Sequence, residues 1–290
     1  MKNKLFFLSS LFIFTILLTK IDHRCAKASH RFCLHFIDGP PTANPAWETK
    51  APYPLSVLDQ PFFYLGKGAQ SFVFESADRQ SVIKFYKFPA HLRRFDWIKH
   101  PFGDTFSPKN RAINLHNEKR FNRSFNSFLL AYNHLQKETG VFYIHLNPTP
   151  HLPRTLQVYD RSGTVHQIPL ERLGFVLQKK GKPFLPMFRS LLEQGHTKEA
   201  QQMIDSLFQL IISRCRKGIS DLDNMDHDNY GWYEGRALHL DIGRFVLKDD
   251  VKIPAHYLQE IERITSPLRQ FLEKQSPELL EYYDNALGVN

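Results

Sequence analysis

Cysteine is scarce in this chain: Cys25, Cys33 and Cys215 are the only three among 290 residues, and no two stand in a CxxC spacing. Neither a thiolate zinc site nor a thioredoxin-like redox pair is therefore supported. With the first 28 residues removed, Cys33 and Cys215 remain, either as a pair in an oxidising compartment or as two buried thiols. Long apolar runs are equally few. The stretch Leu5 to Leu18, broken by Ser9, Ser10 and Thr15, is shorter than the roughly 20 residues that a bilayer crossing needs. The formal charge of +9 is spread along the chain rather than massed in one tract, with no zinc-finger spacing and no RNP-type run. An anionic partner fits this balance, whereas specific nucleic acid binding is not expected.

What is present is ample apolar material, 42% of the residues, with 25 Phe, 11 Tyr and 3 Trp, enough to bury a core. Residues 1–28 read as a targeting segment. Lys2 and Lys4 precede the apolar stretch, and Ala26-Lys27-Ala28 resembles a cleavage site. A cleaved signal peptide or an uncleaved membrane anchor is expected on these grounds, and with it a membrane-associated or exported location. Residues 29–61 carry Pro40, Pro41, Pro45, Pro52, Pro54 and Pro61 and predict an extended linker, or a wrap on the next domain.

From Phe62 three β-prone runs form a meander, 62–65, 72–74 and 81–86, separated by Gly66-Lys67-Gly68-Ala69-Gln70-Ser71 and a polar turn at 76–80. Gly66 and Gly68 let the first turn bring its amides close to a phosphate, and Lys84 sits inside an apolar strand where an unpaired ammonium is costly. The basic and aromatic residues 87–111 read as an irregular insertion. A helix over 112–138 places Glu118 as the convenient partner for Lys84. Further strands are expected at 141–146, 155–159, 165–168 and 173–178, then helices at 184–193 and 196–216. The latter carries Ala200, Met203, Ile204, Leu207, Leu210, Ile211 and Cys215 on its apolar side.

The stretch Gly218 to Phe245 then concentrates Asp221, Asp223, Asp226, Asp228 and Asn229 before a short hairpin that ends on Asp241-Ile242-Gly243. Carboxylates this dense repel one another unless a cation or basic partner neutralises them. An EF-hand beginning at Asp226 is matched by its Asp-x-Asp and Gly231 but not by Tyr230 and Ala237 on its fifth and twelfth positions. Helices at 254–264, 267–274 and 277–287 complete the chain.

Glycine-loop hairpin, strand lysine, helix, strands, long helix, acid-rich loop with asparagine, hairpin and Asp-Ile-Gly succeed one another in an order that resembles an atypical bacterial protein-kinase-like fold. In its economy the chain is closer to small-molecule kinases such as the aminoglycoside phosphotransferases. The resemblance spans residues 62 to about 250. It implies an α+β, two-lobed architecture, with a β-rich nucleotide-binding N-lobe over 62–178 and a reduced helical C-lobe over 179–290. It also implies ATP and Mg2+ as cofactors and a hydroxyl-bearing small molecule or protein as acceptor. By resemblance Gly66, Gly68 and Ser71 form the phosphate-covering loop, with Ser71 where the last glycine usually stands. Val73 lines the adenine pocket, Lys84 contacts phosphates with Glu118 as its helix partner, and Asn229 and Asp241 hold metal. The family pattern sets its catalytic aspartate five residues before the asparagine, which here is Asn224. A one-residue insertion selects Asp223, with Asp221 as the other candidate, while Asp226 and Asp228 either supplement the metal binding or replace it. There is no His-Arg-Asp or Ala-Pro-Glu motif, so a pseudokinase or a membrane-tethered or exported interaction module stands as the alternative to an enzyme.

Overall fold

The computed structural model describes residues 32–39, 43–49, 55–89, 108–149, 154–225 and 229–288. The alternation of apolar and polar residues between 62 and 86 gives its first unit. Strands β1 (Phe62–Lys67), β2 (Ser71–Ser76) and β3 (Ser81–Tyr86) form an antiparallel meander whose register slips between Tyr64 and Gly66. Helix α1 (Pro108–His134) comes next, then β4 (Val141–His145), β5 (Thr155–Tyr159), β6 (Val165–Pro169) and β7 (Phe175–Lys179). These seven strands make one sheet in the order β4-β7-β3-β2-β1-β5-β6, with β1 and β5 its parallel pair.

Both faces of the sheet are covered, which is why β3 carries apolar residues on both sides of its pleat. On one face Phe72, Phe74, Ile83, Phe85, Phe175 and Leu177 pack together; on the other, Tyr86 and Val176 meet Phe121, Phe125 and Phe128 of α1. The described parts of the proline-rich stretch lie against this lobe. Phe32, Ile37 and Leu58 join the first core, and Trp47 joins the second, its ring 4.8 Å from Phe125 and its indole N–H donating to Asn126 Oδ1 at 3.2 Å.

The second lobe begins with β8 (Lys182–Pro183), α2 (Phe184–Glu193) and α3 (Thr197–Arg216). Short strands β9 (Ile219–Asp221), β10 (Tyr230–Tyr233), β11 (Arg236–His239) and β12 (Phe245–Leu247) precede α4 (Pro254–Gln275) and α5 (Pro277–Leu287). The apolar stripe of α3 packs on Ile261, Ile264 and Leu268 of α4 and on Leu279 and Tyr283 of α5. Strands β8, β10 and β11 pair, as do β9 and β12. The chain is thus α+β and two-lobed, with a β-rich N-lobe and a reduced helical C-lobe.

Three expectations need correction. The helices expected at 254–264 and 267–274 are one helix that runs through Pro267. Proline has no N–H for the Arg263 carbonyl, and Ser266 Oγ donates to it instead at 3.1 Å. Cys33 and Cys215 are free thiols, one exposed and one buried, not a disulfide. Membrane attachment or export is also withdrawn: among the described residues no helix is long and apolar enough to cross a membrane. The segment 1–28 lies outside the described residues, as does the insertion from 90 to 107.

Within the second lobe the pairing of β10 with β8 is tight at Gly231. A Cβ there would stand 2.8 Å from Leu240 Cδ1 and 2.9 Å from the Lys182 carbonyl oxygen. Gly231→Ala should therefore force β10 off β8 and lower stability by about 1–3 kcal/mol, read from the midpoint of a denaturant titration.

Candidate active site

Gly66, Val73, Lys84 and Val176 stand in one cross-strand row over β1, β2, β3 and β7, so the strand lysine and the residue expected at the adenine share a face. The glycine turn is closed by the Gly68 N–H donating to the Ser71 carbonyl at 3.0 Å, and Lys87 Nζ donates to the Gly68 carbonyl. The opposite side comes from the chain around Asp-Ile-Gly. Asn229 presents its carbonyl to the N–H of Leu240 at 2.8 Å and of Asp241 at 3.3 Å, which seats Asp241 beside the asparagine. Asp241 Oδ1 in turn accepts the Gly243 N–H at 3.1 Å.

Lys84 joins the two sides. Its ammonium donates to the Leu240 carbonyl at 2.5 Å, an element 156 residues further along the chain. Burial lowers its pKa, and the nearby Asp241 carboxylate works in the opposite direction. The expected Lys84–Glu118 pair is corrected: Glu118 is exposed on α1, and Lys84 donates to Leu240 instead. Helical spacing put Glu118 on the right helix, but the face of α1 that meets Asp-Ile-Gly carries Ser124 and Ser127.

The two candidate bases occupy different environments. Asp221 is 1% exposed, with Oδ2 at 3.2 Å from His239 Nε2 and 3.8 Å from Arg214 Nη1. Burial pushes its carboxyl up, yet His239 and Arg214 more than offset this and hold it below the usual carboxylate range. Asp223 is half-buried and pairs with Arg244 Nη1 at 3.0 Å. Its carboxyl is raised by burial and by Asp221 and Asp241, against the pull of Arg244. Asp223 is therefore the carboxylate that shares its surroundings with Asp241. Asp226 and Asp228 lie outside the described residues.

The loop that carries both is held by residues that sequence patterns did not single out. Arg214, fully buried on α3, reaches Glu260 Oε2 at 3.4 Å and the Ile219 carbonyl at 3.3 Å. Glu260 on α4 also accepts from Ser220 Oγ at 2.9 Å. Arg263, one turn on, donates to the Asp221 carbonyl, to the Asp223 carbonyl at 3.3 Å and to Asn224 Oδ1 at 2.7 Å. The signal for Arg214 was a cation at helical spacing on the apolar stripe beside Cys215. Nothing in local sequence marked Arg263.

Among the described residues no three His, Cys, Asp or Glu side chains gather into a metal cage. Asn229 and Asp241 fit a different kind of site, because Mg2+ usually takes one or two protein carboxylates or amides and completes its shell with phosphate oxygens and water. The Asn229 amide nitrogen is engaged by the Asn224 carbonyl at 2.8 Å, so its oxygen is the donor left for a cation.

The position of Asp221 has a consequence for stability at low pH. Its folded-state pKa is depressed, so the stabilisation is complete above the unfolded value near 4 and is lost as pH falls through the folded value. Asp221→Asn should lower stability at neutral pH by about 3 kcal/mol by removing one of the two buried carboxylates that meet Arg214. It should also flatten the acid limb below about pH 4. Urea midpoints between pH 3 and 7 check both.

No family model and no curated protein matches the chain. Among solved structures, it is similar to WbdD with the kinase inhibitor LY294002, at 13% identity and a TM-score of 0.37 over 77% of this chain and 44% of that one. The bifunctional kinase-methyltransferase WbdD matches at 12% and 0.34, covering 78% and 46%. The Rv3197–erythromycin complex from Mycobacterium tuberculosis matches at 14% and 0.33, covering 67% and 48%. The chain spans less than half the length of each of these proteins.

Proposed function

We propose that this chain is an ATP- and Mg2+-dependent phosphotransferase with a hydroxyl group as acceptor. The observation that carries the reading is Lys84. A strand ammonium in a desolvated position, bonded to the residue preceding Asp-Ile-Gly and close enough to feel the Asp241 carboxylate, supports a phosphate-binding cation beside a metal-type carboxylate.

The roles come from the chemistry of phosphoryl transfer, which asks for positioning and charge screening more than covalent help. Gly66, Gly68 and Ser71 cover the phosphates with backbone, Val73 packs against the base, and Lys84 exchanges the Leu240 carbonyl for a phosphate oxygen. Asn229 and Asp241 hold Mg2+, which when bound screens the charge that develops on the triphosphate. Asp223 accepts the proton of the acceptor hydroxyl as that oxygen attacks the γ-phosphorus and the bond to the β-phosphate oxygen breaks, releasing ADP. Its raised pKa suits a base better than an ordinary surface aspartate. Asp221, closed off by Arg214 and His239, positions the loop and takes no proton.

Thermal shift with ATP and Mg2+ tests the binding half. At about 100 times Kd the ligand contributes roughly 2.7 kcal/mol, a shift of several degrees. Lys84→Met should weaken it and Asp241→Ala should remove its Mg2+ dependence. In a γ-phosphate transfer assay Asp223→Asn should cost about 100- to 10,000-fold in kcat while leaving the thermal shift intact. Nucleotide stabilisation without turnover would make the chain a pseudokinase, and no stabilisation at all would refute an ATP-based role.

A further inference from the structure

Helix α1 presents two serines one turn apart to the glycine loop and Asp-Ile-Gly, while the glutamate expected to pair with Lys84, Glu118, is exposed. Ser127 is buried, and its hydroxyl donates to the Ile242 carbonyl at 2.5 Å while accepting the Phe245 N–H at 2.7 Å. A serine inside a helix ordinarily returns its proton to its own helix. Here the proton crosses to another segment, and the one side chain brackets the turn from before Gly243 to after it. The residues on either side, Ile242 and Phe245, are buried in the same aromatic core as Phe121, Phe125 and Phe128 of α1.

Ser124 takes the other half. Its Oγ donates to Gln70 Oε1 at 3.1 Å, sharing the proton with the Arg120 carbonyl at 2.9 Å. Gln70 is the tip of the glycine loop, and its backbone carbonyl accepts the Lys87 N–H at 2.8 Å. The Gln70 amide lies directly on Gly243, so close that a Cβ at that position would collide with it. One helix face therefore holds the glycine loop through Ser124 and Gln70, and Asp-Ile-Gly through Ser127, with Gln70 touching both. Glu118 contributes to neither contact.

We infer that Ser127 and Gln70 are positioning residues for Asp241: α1 sets the metal-holding carboxylate with an uncharged serine clamp and a loop-tip glutamine, in place of a lysine–glutamate ion pair. The metal-holding role of Asp241 rests on the phosphotransferase reading; the clamp itself does not. Its parts are neutral, so the positioning persists at salt concentrations that would screen an exposed ion pair.

Hydrogen exchange on the nucleotide-free protein, resolved by peptide, separates the two. Ser127→Ala should speed exchange over 240–247 by roughly tenfold, the loss of about one hydrogen bond, while the peptides of α3 and α4 keep their wild-type rates. Ser127→Thr, which retains the hydroxyl, should restore the slow rate, and Gln70→Ala should speed the same segment. Exchange that rises everywhere, or nowhere, or that threonine leaves fast, would overturn the inference. In ATP-dependent thermal shift, Ser127→Ala should raise the Mg2+ concentration for half-maximal stabilisation by about tenfold and leave metal-free nucleotide binding unchanged. An equal loss with and without Mg2+ would mark a structural role only and would also overturn it. If the wild type shows no nucleotide stabilisation, the phosphotransferase reading falls, while the exchange rates over 240–247 still decide for or against the clamp.

Discussion

The enclosed contact of Asp221 with Arg214 and His239 is the constraint on which the acidic loop depends. An isolated charge so deep is costly, and its partners make it tolerable only as a set. Arg214 must meet Asp221 and Glu260, Glu260 must take Ser220 and Arg263, and Arg263 must cap the loop carbonyls. Together these bonds tie α3, α4 and β11 to residues 219–224. Asp223 follows half-buried, paired with Arg244.

The N-lobe solves a different problem with different means. A sheet covered on both faces needs apolar side chains on both sides of its strands, and the chain supplies them as an aromatic cluster around α1 and a second one under Phe32 and Leu58. Where this core meets the Asp-Ile-Gly segment the contacts are polar, Ser127 bonding Ile242 and Lys84 bonding Leu240, while Ser124 holds Gln70.

Much of this was legible in the sequence, and the reasons are physical. The α3 stripe and the β1–β3 meander come from periodicity, because burial on one side of a helix or on alternate strand positions leaves a direct trace. Lys84 stood out as a cation in an apolar strand. The partner of Lys84 was not legible, since spacing on a helix gives neighbours along its own surface and not the phase that meets another segment. Strand β9 is three residues long, too short to show a period, and Pro267 concealed one continuous helix whose lost bond a serine replaces. The different environments of Asp221 and Asp223 come from burial, which two aspartates in one loop cannot display in sequence.

A crystal structure with a non-hydrolysable ATP analogue and Mg2+ tests the central claim most directly. The account predicts a metal ion held by Asn229 Oδ1 and Asp241, with Lys84 Nζ moved from the Leu240 carbonyl to a phosphate oxygen. A nucleotide bound elsewhere, or one in this cleft with Lys84 still on Leu240 and no metal at Asp241, would contradict it.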